Sequence, residues 1–318
     1  MPRKVVVEVN GSSANLGPGF DTFAVAIDAF SDVVEAWIEP DSGGVVIDSI
    51  KGPYAQNIPL ESNTAKRAAE LVLQRVGYGG GLILRIYKGV PPGRGLGSSG
   101  ASAAAGAIAA HLLLGSKLSL RELVEIAGDA EATVTGTPHY DNVSASILGG
   151  FVIVAKSGKR LYVDSLDLDA RFLVAVPRVN VHQEKTRLMR SIIPSSIPLW
   201  KAANHWAKVA LMINALHRGD LRLFGELMMS DEIVEHARSK YIPCYNEVKQ
   251  AAVESGALGV SISGAGPSLI ILVSMGEDHD RLARIRYSVE KAYRECGMKV
   301  DIYGCGVGGG YRVLVSDE

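Results

Sequence analysis

Two domains of mixed α and β structure are what this sequence predicts, and three observations carry that reading. Valine-rich, partly alternating runs at residues 4–9 and 32–39, with a further apolar run at 81–88, read as strands. A proline- and glycine-rich loop at 91–100 leads out of the third strand into an alanine-rich helix. In the last part of the chain helices mix with strand pairs, an α+β layout. A chain of 318 residues is also long for one compact core and suits two domains of ordinary size.

Between the first two strands lies a polar, glycine-bearing segment, 11–21. Ser62 or Asn63 caps a helix running to about Val76, which Gly77 ends. The alanine-rich helix covers about 99–114, and Ser119 with Glu122 forms a capping box that opens the next helix. Residues 136–142 are a loop containing Pro138, and strands at 151–155 and 161–163 close the first half. An apolar strand at 172–176 follows, then Pro177 and a polar stretch. A long helical region, 199–229, is interrupted at Gly219. A helix at 245–254, strands at 259–262 and 269–273, a helix at about 280–296 and strands at 299–303 and 311–315 complete the second half. The boundary falls near 165–172, giving domains 1–168 and 169–318.

Composition excludes several function classes. The formal net charge is −1, so no overall field draws the chain to nucleic acid or to an anionic membrane. The densest basic stretch, 281–294, has helical spacing with Glu290 interspersed and reads as a solvated helix face. Three scattered cysteines, Cys244, Cys296 and Cys305, give no CxxC pair and fit a reducing compartment. Clustered zinc ligands and HExxH are absent. The first ten residues carry Glu8 inside their apolar run and are no signal peptide, and the apolar run 101–114 is too short to span a bilayer. A cytoplasmic protein is expected.

The segment Pro91-Pro-Gly-Arg-Gly-Leu-Gly-Ser-Ser-Gly100 is an anion cradle by its chemistry. Glycines let the backbone approach a phosphate and take positive φ, and free N–H groups at a helix start face the anion. Ser98 and Ser99 can add hydroxyl donors or a metal ligand. A Walker A loop needs Lys-Ser or Lys-Thr after its last glycine, and Gly97 is followed by two serines. Gly95-Leu-Gly97-Ser-Ser-Gly100 formally matches GxGxxG, but the acidic residues some twenty positions on, Glu122 and Glu125, lie inside a helix. A glycine turn that opens a helix and binds nothing remains the bland alternative.

Three segments together point further: Asn10-Gly-Ser-Ser-Ala-Asn-Leu-Gly-Pro-Gly-Phe-Asp21, the 91–100 loop, and Ser261-Ile-Ser-Gly-Ala-Gly-Pro-Ser268. In that order and spacing they resemble the three motifs of the GHMP kinases. The first segment, with Pro138-His-Tyr-Asp-Asn142 and Leu148-Gly-Gly-Phe151, resembles the homoserine-kinase branch in particular. The resemblance implies an N-terminal domain like domain 2 of ribosomal protein S5 and a ferredoxin-like C-terminal domain. ATP and acceptor would bind between them, with Mg2+, in a homodimer. The implied reaction is transfer of the ATP γ-phosphate to the side-chain hydroxyl of L-homoserine, a step in threonine biosynthesis. A GHMP kinase for mevalonate, a polyol or another hydroxy acid is the alternative, as is a non-catalytic nucleotide-binding module of the same fold.

The same resemblance implies residue roles. Pro91, Gly93, Arg94, Gly95, Leu96, Gly97, Ser98 and Ser99 would cradle the triphosphate. Asn63 matches a position that helps hold adenine, and is equally a helix N-cap. Ser99 and Glu131 would hold the metal. Asn15, Asp21, His139, Asp141, Arg187, Arg238 and Gly264 would receive the acceptor, with the arginines on its carboxylate and Asp21 on its ammonium. Asp141 would orient the acceptor hydroxyl and secondarily take its proton, and Asn142 would support that loop. Two departures stand out. Ser12 occupies the place of a lysine found in several GHMP kinases, and the stretch 182–187 lacks the Ser-Thr that precedes the acceptor arginine in many homoserine kinases, Arg187 keeping that arginine's place.

Overall fold

The computed structural model describes residues 4–40, 43–180, 185–274 and 279–317. In chain order it runs β1 (Lys4–Asn15), β2 (Gly19–Glu39), β3 (Val45–Lys51), α1 (Thr64–Val76), β4 (Gly81–Tyr87), α2 (Ser98–Leu113), α3 (Leu120–Thr135), α4 (Tyr140–Leu148), β5 (Phe151–Ser157) and β6 (Arg160–Leu166). The second half comprises β7 (Arg171–Pro177), α5 (Lys185–Ser191), α6 (Leu199–His217), α7 (Leu221–Met228), α8 (Val234–Ser239), α9 (Tyr245–Glu254), β8 (Gly259–Ile262), β9 (Leu269–Val273), α10 (His279–Glu295), β10 (Val300–Gly306) and β11 (Arg312–Asp317).

The first sheet is organised by β2, which is long enough to serve two neighbours on one edge. Its second half, Val33 to Glu39, pairs antiparallel with β4, and Phe23 to Val25 pair with β5. β1 lies antiparallel along its other edge, β3 runs parallel to β4, and β6 pairs with β5. The polar segment 11–21 is therefore mostly strand: β1 continues through Asn15 and β2 starts at Gly19. Its side-chain pattern hides this, because Ser12 and Ser13 are fully buried beside the apolar residues. β11 pairs with β1, Lys4 opposite Asp317, so the first sheet takes an edge strand from the far end of the chain. The chain passes from the first sheet to the second between β6 and β7, and β11 returns to the first.

The second sheet has the order β10-β7-β9-β8 and is antiparallel throughout. With α9 before β8 and α10 between β9 and β10, this is the split βαβ arrangement of ferredoxin-like folds. Both faces are covered, which is why its strands read as unbroken apolar runs. Phe172, Val174, Ile270 and Leu272 join the core shared with the first sheet, while Leu173, Ala175, Ile271 and Val273 face α9 and α10. Phe23, Phe151 and Phe224 carry aromatic contacts from β2 through β5 to α7, with centroids 5.0 and 5.9 Å apart.

Helix α2 is buried nearly all round, against β1 and β2 and under α1, α3 and α4. Alanine and glycine suit it because larger side chains would hold those neighbours off. The expected loop at 136–142 ends sooner than its proline suggests, since α4 begins at Tyr140. The break expected at Gly219 is present, with φ at 67° between α6 and α7.

The tightest helix contact yields a prediction. A Cβ on Gly106 would fall on the carbonyl oxygen and Cα of Ala65 in α1. Gly106→Val should lower the unfolding free energy by about 1–3 kcal/mol or more, the usual range for overpacking a dense core. Denaturant titration measures it, and an unchanged midpoint would contradict the packing described.

Candidate functional site

A cavity of about 550 Å3 opens where the loop before α2, the β1–β2 turn and the β8–β9 turn meet. The loop takes its course from three glycines in the left-handed region, Gly93, Gly95 and Gly97, with φ of 70°, 77° and 66°. Two of them also permit contact that no other residue would. A Cβ on Gly95 would overlap the Ser263 carbonyl of the third motif, and one on Gly97 would overlap Ser12 Oγ of the first. Hydrogen bonds lock the three segments: Ser12 N to Leu96 O at 3.1 Å, Gly264 N to Ala14 O at 3.0 Å, and Ser263 Oγ to Gly95 O at 2.7 Å. No side chain caps the first turn of α2, which leaves its amides and positive dipole end to the cavity that Ser98 and Ser99 line.

Beneath this loop sits an ion pair that the sequence reading missed. Lys88 and Asp32 are both buried and their charged groups touch. Lys88 Nζ also donates to Ser98 O and Ser102 Oγ, each at 2.8 Å. Asp32 accepts from Gly89 N at 3.0 Å, Val90 N at 2.9 Å and Ser102 Oγ at 2.7 Å. The pair thus holds both ends of the phosphate-type loop. Burial pulls the Lys88 ammonium below the usual lysine range, against the opposing charge of Asp32. Ser98 Oγ donates to Val90 O at 2.9 Å, so this serine staples the loop and leaves Ser99 as the one that faces α3.

Ser99 Oγ donates to Glu131 Oε1 at 2.6 Å, and Glu131 is buried on α3. His139 Nδ1 lies 3.3 Å from the same oxygen. Burial lowers the His139 pKa, but the hydrogen bond and charge of Glu131, with Asp141, outweigh it and the net direction is upward. Asp141 is buried at the start of α4 and accepts from Asn142 N at 2.8 Å and Asn142 Nδ2 at 3.1 Å. Burial, with the charge of Asp21 next, pushes its carboxyl up to about 6. Asn142 Oδ1 in turn accepts from Ser12 Oγ at 2.9 Å.

The other end of the cavity concentrates charge and backbone strain. Asn15, Leu16 and Asp21 all have positive φ, and they flank the turn through Gly17. That turn is clamped from the second half of the chain: Gly17 abuts Met228 of α7 and His205 Nε2 lies 2.7 Å from Pro18 O. Asn15 Nδ2 and Arg238 Nη1 both donate to Gly264 O, at 2.9 and 3.0 Å. Arg190 forms a two-pronged ion pair with Asp21, both contacts at 2.9 Å. Arg190 and Arg238 each lie 5.3 Å from the centre of the Phe20 ring. Burial depresses Arg238 to about 10, against Asp21.

Most of the expected residues line this cavity, and three do not. Arg187 is exposed outside it, one position past Thr186 on α5. Thr186 and Arg190 line it instead, because residues four apart share a helix face and the residue after the first is turned about 100° away. The i,i+4 pair Thr186/Arg190 was the signal in the sequence. Arg94 points out of the cavity, donating to Pro177 O at 2.9 Å, and Pro91 is buried behind the loop. Asn63 lines the cavity as the N-cap of α1: its oxygen accepts from Ala65 N at 2.9 Å and its amide donates to Pro59 O at 3.2 Å. His182, Gln183 and Glu184 lie outside the described residues.

The chain resembles known proteins over most of its length. The family models for the GHMP kinases N terminal domain and the GHMP kinases C terminal match residues 63–150 and 212–295. A homoserine kinase of Aeropyrum pernix is 44% identical over 267 residues, 84% of this chain and 85% of that one. A homoserine kinase of Pyrobaculum neutrophilum is 41% identical over 291 residues, covering 92% and 94%. The crystal structure of homoserine kinase from Cytophaga hutchinsonii superposes with a TM-score of 0.88 at 33% identity, covering 99% and 98%.

The buried platform is testable. Lys88→Met should leave Asp32 without its counter-charge and lower the unfolding free energy by about 3–5 kcal/mol. Adding Asp32→Asn to that variant should recover part of the loss in a double-mutant cycle. Parental stability in Lys88→Met alone would show that the pair does not hold the loop.

Proposed function

The chain belongs to the GHMP kinases, and on that premise we propose that it transfers the γ-phosphate of ATP to the side-chain hydroxyl of L-homoserine, giving O-phospho-L-homoserine. The observation that carries the acceptor is the Asp21–Arg190 ion pair beside Arg238. An α-amino acid brings one ammonium and one carboxylate. The pair offers the complement of each, already side by side. The carboxylate takes Arg190 and Arg238, whose planar forks match it, and the ammonium takes Asp21. Asn15, His139 and Gly264 fix the chain between them. A hydroxy acid such as mevalonate would leave Asp21 facing no positive charge.

Nucleotide binding follows the other end. The triphosphate lies in the 93–99 loop against the start of α2, and adenine lies along Asn57, Ile58, Pro59 and Asn63. Ser99 and Glu131 fit a magnesium ion by donor chemistry. They put a hydroxyl and a carboxylate 2.6 Å apart at the phosphate end, hard oxygens that leave waters and phosphates to complete the shell. Bound there, Mg2+ would neutralise charge on the phosphates. The acceptor oxygen forms its bond to the γ-phosphorus as the bond to the bridging oxygen breaks and ADP departs. Asp141 accepts the hydroxyl hydrogen bond and orients the oxygen, and the proton leaves through it or to water. A loose transition state asks for this positioning more than for a strong base.

A homodimer belongs to the same proposal. Its support is the exposed apolar face of α6, where Leu199, Trp200 and Trp206 are 75%, 70% and 62% accessible. So does a cytoplasmic location; among the described residues no helix is long and apolar enough to cross a membrane.

An ADP-release assay with a panel of acceptors tests the reaction, and it fails if homoserine is not phosphorylated. Arg190→Ala should raise the homoserine KM by about 10- to 100-fold, the worth of a charged hydrogen-bond pair, while Arg187→Ala stays within about twofold. The reverse order would restore Arg187 as the acceptor residue.

The pH profile tests Asp141. The carboxylate form accepts a hydroxyl proton and the acid form does not, so kcat/KM should fall as pH drops through about 6. Asp141→Asn should lose that acid limb while lowering turnover by only about tenfold, roughly 1.4 kcal/mol. A loss of about ten-thousandfold with binding intact would mark an obligatory base instead.

A further inference from the structure

Lys185 opens α5 and joins two of the loops that build the site. Its ammonium donates to Gly93 O at 2.8 Å, in the loop before α2, and to Gly266 O in the β8–β9 turn. Both partners are neutral carbonyls. Among the described residues the charged groups that act on it are Arg238 from α8 and Arg94 from the loop, and both are cations. The acidic groups acting on those arginines, chiefly Asp21 for Arg238 and Tyr54, then Asp301, for Arg94, are not among the groups acting on Lys185. Burial first, then Arg238 and Arg94, brings the ammonium down to about 7. Arg94 is itself turned to Pro177 O, so Lys185 and Arg238 are the cations bonded to the β8–β9 turn, beside a glycine loop that presents a helix start to an anion. Meanwhile the first motif, residues 10–21, contains no lysine or arginine of its own.

We infer that Lys185 engages the terminal phosphates of the bound nucleoside triphosphate, exchanging the carbonyls of Gly93 and Gly266 for phosphate oxygens. The inference rests on the kinase reading above and adds to it a phosphate-binding cation on α5. Because α5 also carries Thr186 and Arg190, the exchange ties the acceptor helix to the occupied phosphate loop. A nearby polyphosphate favours the charged lysine, so binding near neutral pH takes up a proton.

Calorimetric titration of the full chain with ATP, ADP and AMP, in two buffers of different ionisation enthalpy, reads that proton directly. At about pH 7.5 the parent protein should take up about 0.5–0.7 proton with ATP and markedly less with AMP. Lys185→Met should abolish the uptake and weaken ATP by about tenfold, with AMP affinity within about twofold. Lys185→Arg should keep ATP affinity within about threefold and show no uptake, because its guanidinium is always charged. The inference is overturned if the uptake persists in Lys185→Met, or if ATP and AMP weaken together, as a merely structural lysine would cause. Failure of the parent protein to bind any of the nucleotides would instead overturn the kinase reading on which it stands.

Discussion

The site exists because three loops approach one another more closely than any side chain at two positions would permit. Gly95 lies under the Ser263 carbonyl and Gly97 under Ser12 Oγ, so a single methyl group at either would pry the loop from the third or the first motif. Each motif is unremarkable as a turn. Their function comes from the interlock, which fixes the helix start, the acceptor turn and the β8–β9 turn in one frame. Preorganisation of this kind is what phosphoryl transfer demands of a protein, since positioning and charge supply most of the rate.

Charge is distributed around that frame in layers. Lys88 and Asp32 form a closed pair below the loop, each saturated with hydrogen bonds, and serve architecture. Glu131, His139 and Asp141 form a wall of mixed sign in which one carboxyl is pushed up to about 6. Beyond them Asp21 and Arg190 neutralise each other in a two-pronged ion pair. Arg94, Lys185 and Arg238 add positive charge around the glycine loop and the β8–β9 turn. Such a gradient keeps each buried charge paired or waiting for a partner of defined sign, which limits the penalty of burying it.

Much of this was legible in the sequence, and the omissions have physical causes. The capping box at Ser119 and Glu122, the glycine break at 219 and the apolar strands at 259–262 and 269–273 are local signals, and local structure obeyed them. The first motif was read as a polar connection because Ser12 and Ser13 look exposed; their burial depends on loops distant in sequence. Lys88 followed a strand like any edge lysine, and only Asp32, fifty-six positions earlier, reveals it as buried. Arg187 and Arg190 differ by less than one helical turn, so motif alignment could not tell which faces the cavity, whereas helix phase turns Arg190 to it. Asn63 was balanced between adenine contact and capping; the structure commits its oxygen to the cap and one amide hydrogen to Pro59 O while leaving the residue on the cavity wall.

The return of β11 to the first sheet makes the second lobe an insertion held at both ends, not a module hung from one linker. Two covalent crossings, one between β6 and β7 and one between β10 and β11, tether it. Lys4 and Asp317 pair across nearly the whole length of the chain, so the edge of the first sheet is a contact of very high sequence separation, the kind whose loop closure slows folding.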